Sequence, residues 1–271
     1  MADHDPLLVT REGPVVRATM NRPERRNALS TAMGAAWDAL LAELAADATA
    51  RVLVIGGAGG HFCAGLDLTE VASDETPEQK LARQTVRNRR TGQRFADISA
   101  LPQVVIAAVE GSCHAGGLGF ACAADIAVAT ATARFAAPEV RRGLVPAQIL
   151  PWLARRAGRT AVTRLVLEAG VIDAAEAARI GLMHQVVVDA TALERQVQAT
   201  IAAVLEGRHG RWRRPRGCWP RSARSRRRAM PKPAPPPSPA PPPAPRRRKG
   251  SRPSRRSGSR TGWGNTRLMT S

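Results

Sequence analysis

Two short apolar runs, each closed by a cluster of glycines, constrain this chain more than any other feature. Arg51–Ile55 (RVLVI) ends in Gly56-Gly57-Ala58-Gly59-Gly60, and Val104–Val109 (VVIAAV) ends in a glycine-rich stretch from Gly111 to Gly119. Runs this brief and this uniformly apolar read as fully buried strands. Ile126–Ala131 is a third, and Val186–Val188 a shorter one. Around them, apolar residues recur at helical spacing. Met33, Ala36, Trp37, Leu40, Leu41 and Leu44 follow Ser30, a good N-cap, and Leu193, Val197, Ile201 and Leu205 mark a last amphipathic helix. Further helical patterns cover 147–157, 160–169 and Asp173 to Ile180, where Gly181 is the stop signal. Leu7–Arg11 and Val15–Met20 read as a hairpin about Glu12-Gly13-Pro14. Residues 70–95 are polar and charged and are expected to be helical, on a mobile excursion. Phe135 to Val140 reads as a short extended piece. Buried strands alternating with helices make the fold class α/β.

Composition matters where it changes. The chain has 271 residues, with 41 Lys+Arg against 22 Asp+Glu. From Arg208 onward there are 18 Arg, 2 Lys and no acid, so residues 1–207 hold 21 basic groups against 22 acids. A near-neutral globular body therefore carries a basic tail, and the domains are expected at 1–207 and 208–271. Hydrophobic content of 44% excludes a wholly disordered chain. No uncharged apolar run approaches the roughly 18 residues of a membrane helix. The acidic start, Met-Ala-Asp-His-Asp-Pro, has no signal-peptide n-region. Cys63, Cys113, Cys122 and Cys218 lack metal-site spacing, and three of them lie in apolar surroundings, which suits a reducing cytoplasm. After Gly207, Arg, Pro, Ser and Gly take over, including Pro235-Pro236-Pro237 and Arg246-Arg247-Arg248-Lys249. Such a segment buries too little apolar surface to offset its ordering entropy, so it is expected to be disordered.

The glycine turns are where chemistry is expected. Glycine lets backbone approach a ligand closely and frees N–H groups to point at it. The apolar stretch from Leu118 to Ala124 suits a helix, whose first amides would add positive potential at Gly116-Gly117. Two such turns at neighbouring strand ends can aim two donors at one oxygen, the geometry of an oxyanion hole. The plainer reading is two tight turns.

Several pieces together resemble the crotonase superfamily, the enoyl-CoA hydratase/isomerase family. They are Asn21-Arg22-Pro23 with Asn27-Ala28-Leu29, Phe62-Cys63-Ala64-Gly65-Leu66-Asp67-Leu68, and Gly111 with Ala115-Gly116-Gly117, Ala121 and Asp125. Phe135-Ala136-Ala137-Pro138-Glu139-Val140 and Gly143-Leu144-Val145-Pro146 follow in the family's order. The resemblance spans about residues 7 to 207 and implies a crotonase-like spiral of ββα units. It implies an acyl-CoA thioester substrate, no cofactor beyond the coenzyme A that the substrate carries, and, if the C-terminus allows it, a homo-oligomer, trimeric or hexameric. By motif position, Leu66 N–H and Gly116 N–H would hold the thioester oxygen. Ala64, Leu66, Asp67, Leu68, Gly116 and Arg25 would lie along the coenzyme A moiety. Asp67 also has the plainer reading of a turn-capping carboxylate, and Asp125 that of a structural one. Arg22, Arg25 and Arg26 could meet phosphates or simply form a solvated face.

The family's hydratases use two carboxylates. One position is Glu139, in its Pro138-Glu139 context; the other is Gly119, which has no side chain, and no acid lies between Glu110 and Asp125. One carboxylate suffices to move a proton along an acyl chain and shift a double bond. Glu139 is accordingly expected to be the single acid/base, its pKa raised by an apolar pocket; the alternative is a salt bridge with Arg141 or Arg142. Ordinary hydration, converting 2-enoyl-CoA to 3-hydroxyacyl-CoA, stays open. His61 and His114 flank the turns and could replace the missing acid, or merely pack. A different class of function is nucleic-acid or acidic-surface binding through residues 208–271, with Trp212, Trp219 and Trp263 available for stacking. The tail's texture is also what GC-rich DNA encodes in a wrong frame. The family's helical ending, which covers part of the acyl-CoA site and contributes to subunit packing, is unrecognisable here. A frameshift near residue 207 is therefore the favoured expectation over an evolved tail.

Overall fold

The computed structural model describes residues 5–67, 69–71 and 76–207. Leu68, and everything expected of the basic tail from residue 208 on, lie outside the described residues.

Six strands form the main sheet: β1 (Leu7–Glu12), β2 (Val15–Met20), β3 (Val52–Gly57), β4 (Val104–Val109), β6 (Ile126–Thr130) and β9 (Gln185–Val187), in the order β1-β2-β3-β4-β6-β9. The expected hairpin pairs β1 with β2 antiparallel, and every later pair is parallel. The uniform apolarity of the inner strands has a direct cause, because both faces of the sheet are covered. Leu53, Ile55, Val105 and Ala107 face the large core with Trp37, Phe95 and Phe120. Val52, Val54, Ile106 and Val128 face a smaller core closed by Leu193, Val197 and Ile201 of the last helix, α6 (Ala190–Glu206).

A second, smaller sheet has β5 (Ser112–His114) parallel to β7 (Arg134–Ala136), and β7 antiparallel to β8 (Val171–Asp173). Isolated bridges extend this layer, Cys63 beside Cys113 and Leu66 beside Leu29. Each inner strand of the main sheet is thus followed by a short crossing into the second layer and then by a helix or turn. β3 leads through Cys63–Leu66 to α2 (Pro77–Ala100). β4 leads through β5 to α3 (Gly116–Ala123), and β6 through β7 to a 3-10 turn (Pro138–Arg142) and α4 (Leu150–Glu168). These are the successive ββα units of the expected spiral.

Helix signals behave as the local chemistry demands. The Ser30 side chain accepts from Met33 N at the start of α1 (Thr31–Ala46), and Asp173 does the same for Glu176 N at α5 (Ala174–Arg179). The two helical patterns at 147–157 and 160–169 form α4, which Gly158 interrupts with non-helical backbone. Two expectations need correction. The 70–95 helix begins at Pro77, behind a Thr76–Gln79 capping box, and continues to Ala100. The extended piece from Phe135 stops at Ala136, because Pro138 opens a 3-10 turn instead of continuing the strand. Among the described residues, no helix is long and apolar enough to cross a membrane.

Candidate active site

The second layer explains why residues far apart in sequence meet. Cys63 pairs with Cys113, and Cys113 with Phe135. Leu66, Gly116 and Glu139 therefore follow the same rung of three neighbouring crossings, by three, three and four residues. Hydrogen bonds lock the rungs: Cys63 N to Ser112 O at 2.8 Å, His114 N to Cys63 O at 2.9 Å, and Ala115 N to Ala136 O at 2.9 Å.

The first turn is held on its outer side. Leu29 N donates to Gly65 O at 2.7 Å and Asp67 N donates to Leu29 O at 3.1 Å. With both neighbours' groups turned toward Leu29, the N–H of Leu66 points to the opposite edge, as alternation along an extended chain requires. That edge faces the second turn. Gly65, at φ +92°, has no room for a side chain: a Cβ there would lie 2.8 Å from Ala115 Cβ, 3.2 Å from His114 O and 3.7 Å from Gly116 N. The two glycine turns are in direct contact. Ala115 has φ 49°, unusual for a residue with a side chain, and it immediately precedes α3, whose first amide is Gly116 N–H. Leu66, Gly116 and Ala64 are half-buried.

Asn27 is a support that sequence reading passes over except as part of a motif. It is fully buried at φ 57°, accepts from Arg22 N, and donates to Ala58 O at 2.9 Å and His61 O at 2.6 Å. It pins the Asn21-Arg22-Pro23 turn to the glycine turn after β3.

The charged candidates resolve into different kinds. Asp67 is 4% exposed and paired with Arg22 at 2.8 Å, and it accepts from Thr69 N and Oγ1 at 3.0 and 2.7 Å. Burial alone would raise its pKa, but these bonds outweigh it and the carboxyl sits below the ordinary range. Arg22 also donates to Ala28 O, so it is committed to this structure, while Arg25 and Arg26 are exposed. Glu139 is half-buried, and its Oε2 is shut off from solvent with no hydrogen-bond partner. Burial raises its pKa, against the opposing pull of its own backbone N–H and of Arg142. Arg141 does not pair with it and donates instead to Glu168 O at 3.2 Å.

The histidines divide likewise. His61 Nδ1 accepts from Ser112 N at 3.1 Å, a bond that fastens the turn. His114 has its Nε2 buried without a partner, and burial, Arg26 and His61 all lower its pKa. Asp125 accepts from Val105 N through Oδ2, a structural role at the head of β6.

Residues 10–209 match the family model described as Enoyl-CoA hydratase/isomerase. The chain is 33% identical to Enoyl-CoA hydratase ACTT6 of Alternaria alternata over 186 residues, which are 69% of this chain and 60% of that protein. It thus spans 60% of the length of that relative. Among solved structures, an enoyl-CoA hydratase/isomerase from Marinobacter aquaeolei is similar at TM-score 0.71 and 34% identity, covering 78% of this chain and 81% of that one. A Thermobifida fusca enoyl-CoA hydratase structure in complex with CoA is similar at TM-score 0.69 and 31% identity, covering 77% and 82%. With its motifs, its ββα spiral and these similarities in agreement, the chain belongs to the enoyl-CoA hydratase/isomerase family.

Proposed function

We propose that this chain acts on an acyl-CoA thioester and shifts a carbon–carbon double bond, with Glu139 as its single acid/base. The observation that carries the reading is the buried, unpartnered Oε2 of Glu139, three residues beyond the Ala136 carbonyl that bonds the second glycine turn. A carboxylate oxygen without a donor is costly to bury, and a substrate C–H at that point gives it a proton to take. The similar Thermobifida fusca structure in complex with CoA supports the substrate class.

In this reading the thioester oxygen sits between Leu66 N–H and Gly116 N–H. Glu139 removes a proton from the carbon next to the thioester. Negative charge then builds on the thioester oxygen, where one well-placed donor is typically worth about 3–4 kcal/mol of barrier. The same carboxyl returns the proton two carbons further on, and no atom is gained or lost. Hydration would need a second acceptor to hold water, and the family's position for it is Gly119. Residues 1–207 would form the acyl-CoA domain, with 208–271 a separate tail.

The test supplies 2-enoyl-CoA and 3-enoyl-CoA separately to wild type and Glu139→Gln. Isomerisation of the 3-enoyl substrate that vanishes in the variant is the expected result. Fast hydration of the 2-enoyl substrate, unchanged in Glu139→Gln, would refute the mechanism.

A further inference from the structure

Gly119 lies one helical turn beyond Gly116 on α3, so the two share a face. Its missing side chain leaves no empty space. A Cβ on Gly119 would overlap the ring of Phe95, lying 2.8 Å from Cε1 and closer still to Cε2 and Cζ. Phe95 comes from α2 and is fully buried. Its ring stands edge-on to Phe120 with centroids 5.2 Å apart, and Phe120 in turn packs on Trp37 at 4.9 Å. A ring wedged in this aromatic stack cannot swing aside without disturbing the core.

We propose that Phe95 is a specificity-determining residue, its ring occupying the place where a side chain at position 119 would project toward the substrate. The proposal rests on the single-acid reading of Glu139 and adds what that reading lacks, a physical reason why water is not used. Adding water to a double bond puts oxygen on one carbon and hydrogen on its neighbour, and the water must be held by acceptors on the α3 side. The Phe95 ring fills the place such an acceptor would take. Isomerisation moves one proton between two carbons by way of Glu139 and asks nothing of that wall. The substrate class this selects is an enoyl thioester whose double bond migrates without change of composition.

The experiment compares wild type, Gly119→Glu, and the pair Phe95→Ala with Gly119→Glu, all in the full chain, on both enoyl-CoA substrates. Gly119→Glu alone is expected to melt lower than wild type and to gain no hydration. The pair is expected to regain stability over Gly119→Glu and to hydrate 2-enoyl-CoA about 10²-fold faster than wild type, the usual worth of one acid/base group. Gly119→Glu hydrating as fast as the pair would overturn the proposal, since the ring would then not be in the way. So would a folded pair with no gain in hydration, since that space would then not face the substrate. If the glutamate variants fail to fold, Gly119→Ala and its pair with Phe95→Leu carry the steric half. A lowered melting temperature rescued by Phe95→Leu supports the overlap, and a Gly119→Ala protein as stable as wild type removes it. Glu139→Gln separates the two readings. Isomerisation lost there while the pair gains nothing rejects Phe95 and keeps Glu139, whereas isomerisation unaffected there overturns both.

Discussion

Asp67 and Glu139 are both acids carried on turns that follow second-layer crossings, yet the fold treats them in opposite ways. Around Asp67 the chain supplies two donors from Thr69 to Oδ1 and an opposite charge, the guanidinium of Arg22, 2.8 Å from an Oδ2 that accepts no hydrogen bond. Around Glu139 it supplies burial and leaves Oε2 without a donor. The first carboxylate is committed to holding the turn that presents Leu66. The second is left more basic than an ordinary carboxylate, as the proposed chemistry requires. Proximity to a site therefore says little about an acid's role; whether an opposite charge is built beside it says more.

The largest expected contrast is in rate. Glu139→Gln should lower double-bond isomerisation by roughly 10²–10⁴-fold, the span for loss of a positioned acid/base. Asp67→Asn should stay within about tenfold of wild type once folded, since it alters only the support of the Leu66 turn. Equal losses in the two variants, measured as kcat on 3-enoyl-CoA, would erase the distinction.

Stability should rank the pair the other way. Asp67→Ala leaves Arg22 facing a buried gap and unties Thr69, and should cost about 2–4 kcal/mol in denaturant unfolding. Gly65→Ala belongs to the same turn and should cost about 2–4 kcal/mol as well, because left-handed backbone and contact with Ala115 both oppose a side chain. Glu139→Gln should not destabilise the protein at neutral pH and should raise its Tm.

The pH dependence of these effects has opposite signs. Asp67 has a folded pKa below its unfolded value, so its stabilisation is complete above the unfolded value and is lost as pH falls through the folded one. Glu139 has a folded pKa above the unfolded value of 4.5, so its ionisation destabilises the native state as pH rises from 4.5 through the folded value. The Tm advantage of Glu139→Gln should therefore grow as pH rises through that window and close toward about pH 4. Activity that needs the ionised base should rise over the same window.

Much of this contrast is legible in the order of residues alone. Apolar runs too short for helices mark β3, β4 and β6, and the spacing of Met33 to Leu44 marks α1, because burial on one or both faces writes itself into side-chain type. The three-residue strands β5 and β8 leave no such trace, since a period cannot show in three residues. In α2, Leu81 and Val86 are exposed while Phe95 and Ile98 are buried, so its apolar positions mislead over the first half. That position 119 lacks a carboxylate is plain from its residue type, but not that a ring from 24 residues upstream fills its place. The same holds for Glu139, whose motif is visible while its want of a partner belongs to the packing.

The smallest effect probes burial without any role in chemistry. Cys63, Cys113 and Cys122 are free thiols in the large core. Burial raises all three, Cys63 to about 12 and Cys122 to about 11, and the turn around Cys63 gives it long contacts alone, 3.4 Å from Gly65 N and 4.0 Å to Gly65 O. A raised thiol is a poor nucleophile, unlike a raised carboxyl, which is a better base. A thiol-specific reagent added to the folded protein at about pH 8, near the ordinary thiol pKa, should leave peptides containing these three cysteines unlabelled by mass spectrometry, and should leave the isomerisation rate unchanged. All three should label in denaturant. Rapid labelling of Cys63 in the native state would mean that the Leu66 turn opens readily, and the rigidity attributed to Asp67 and Thr69 would have to be given up.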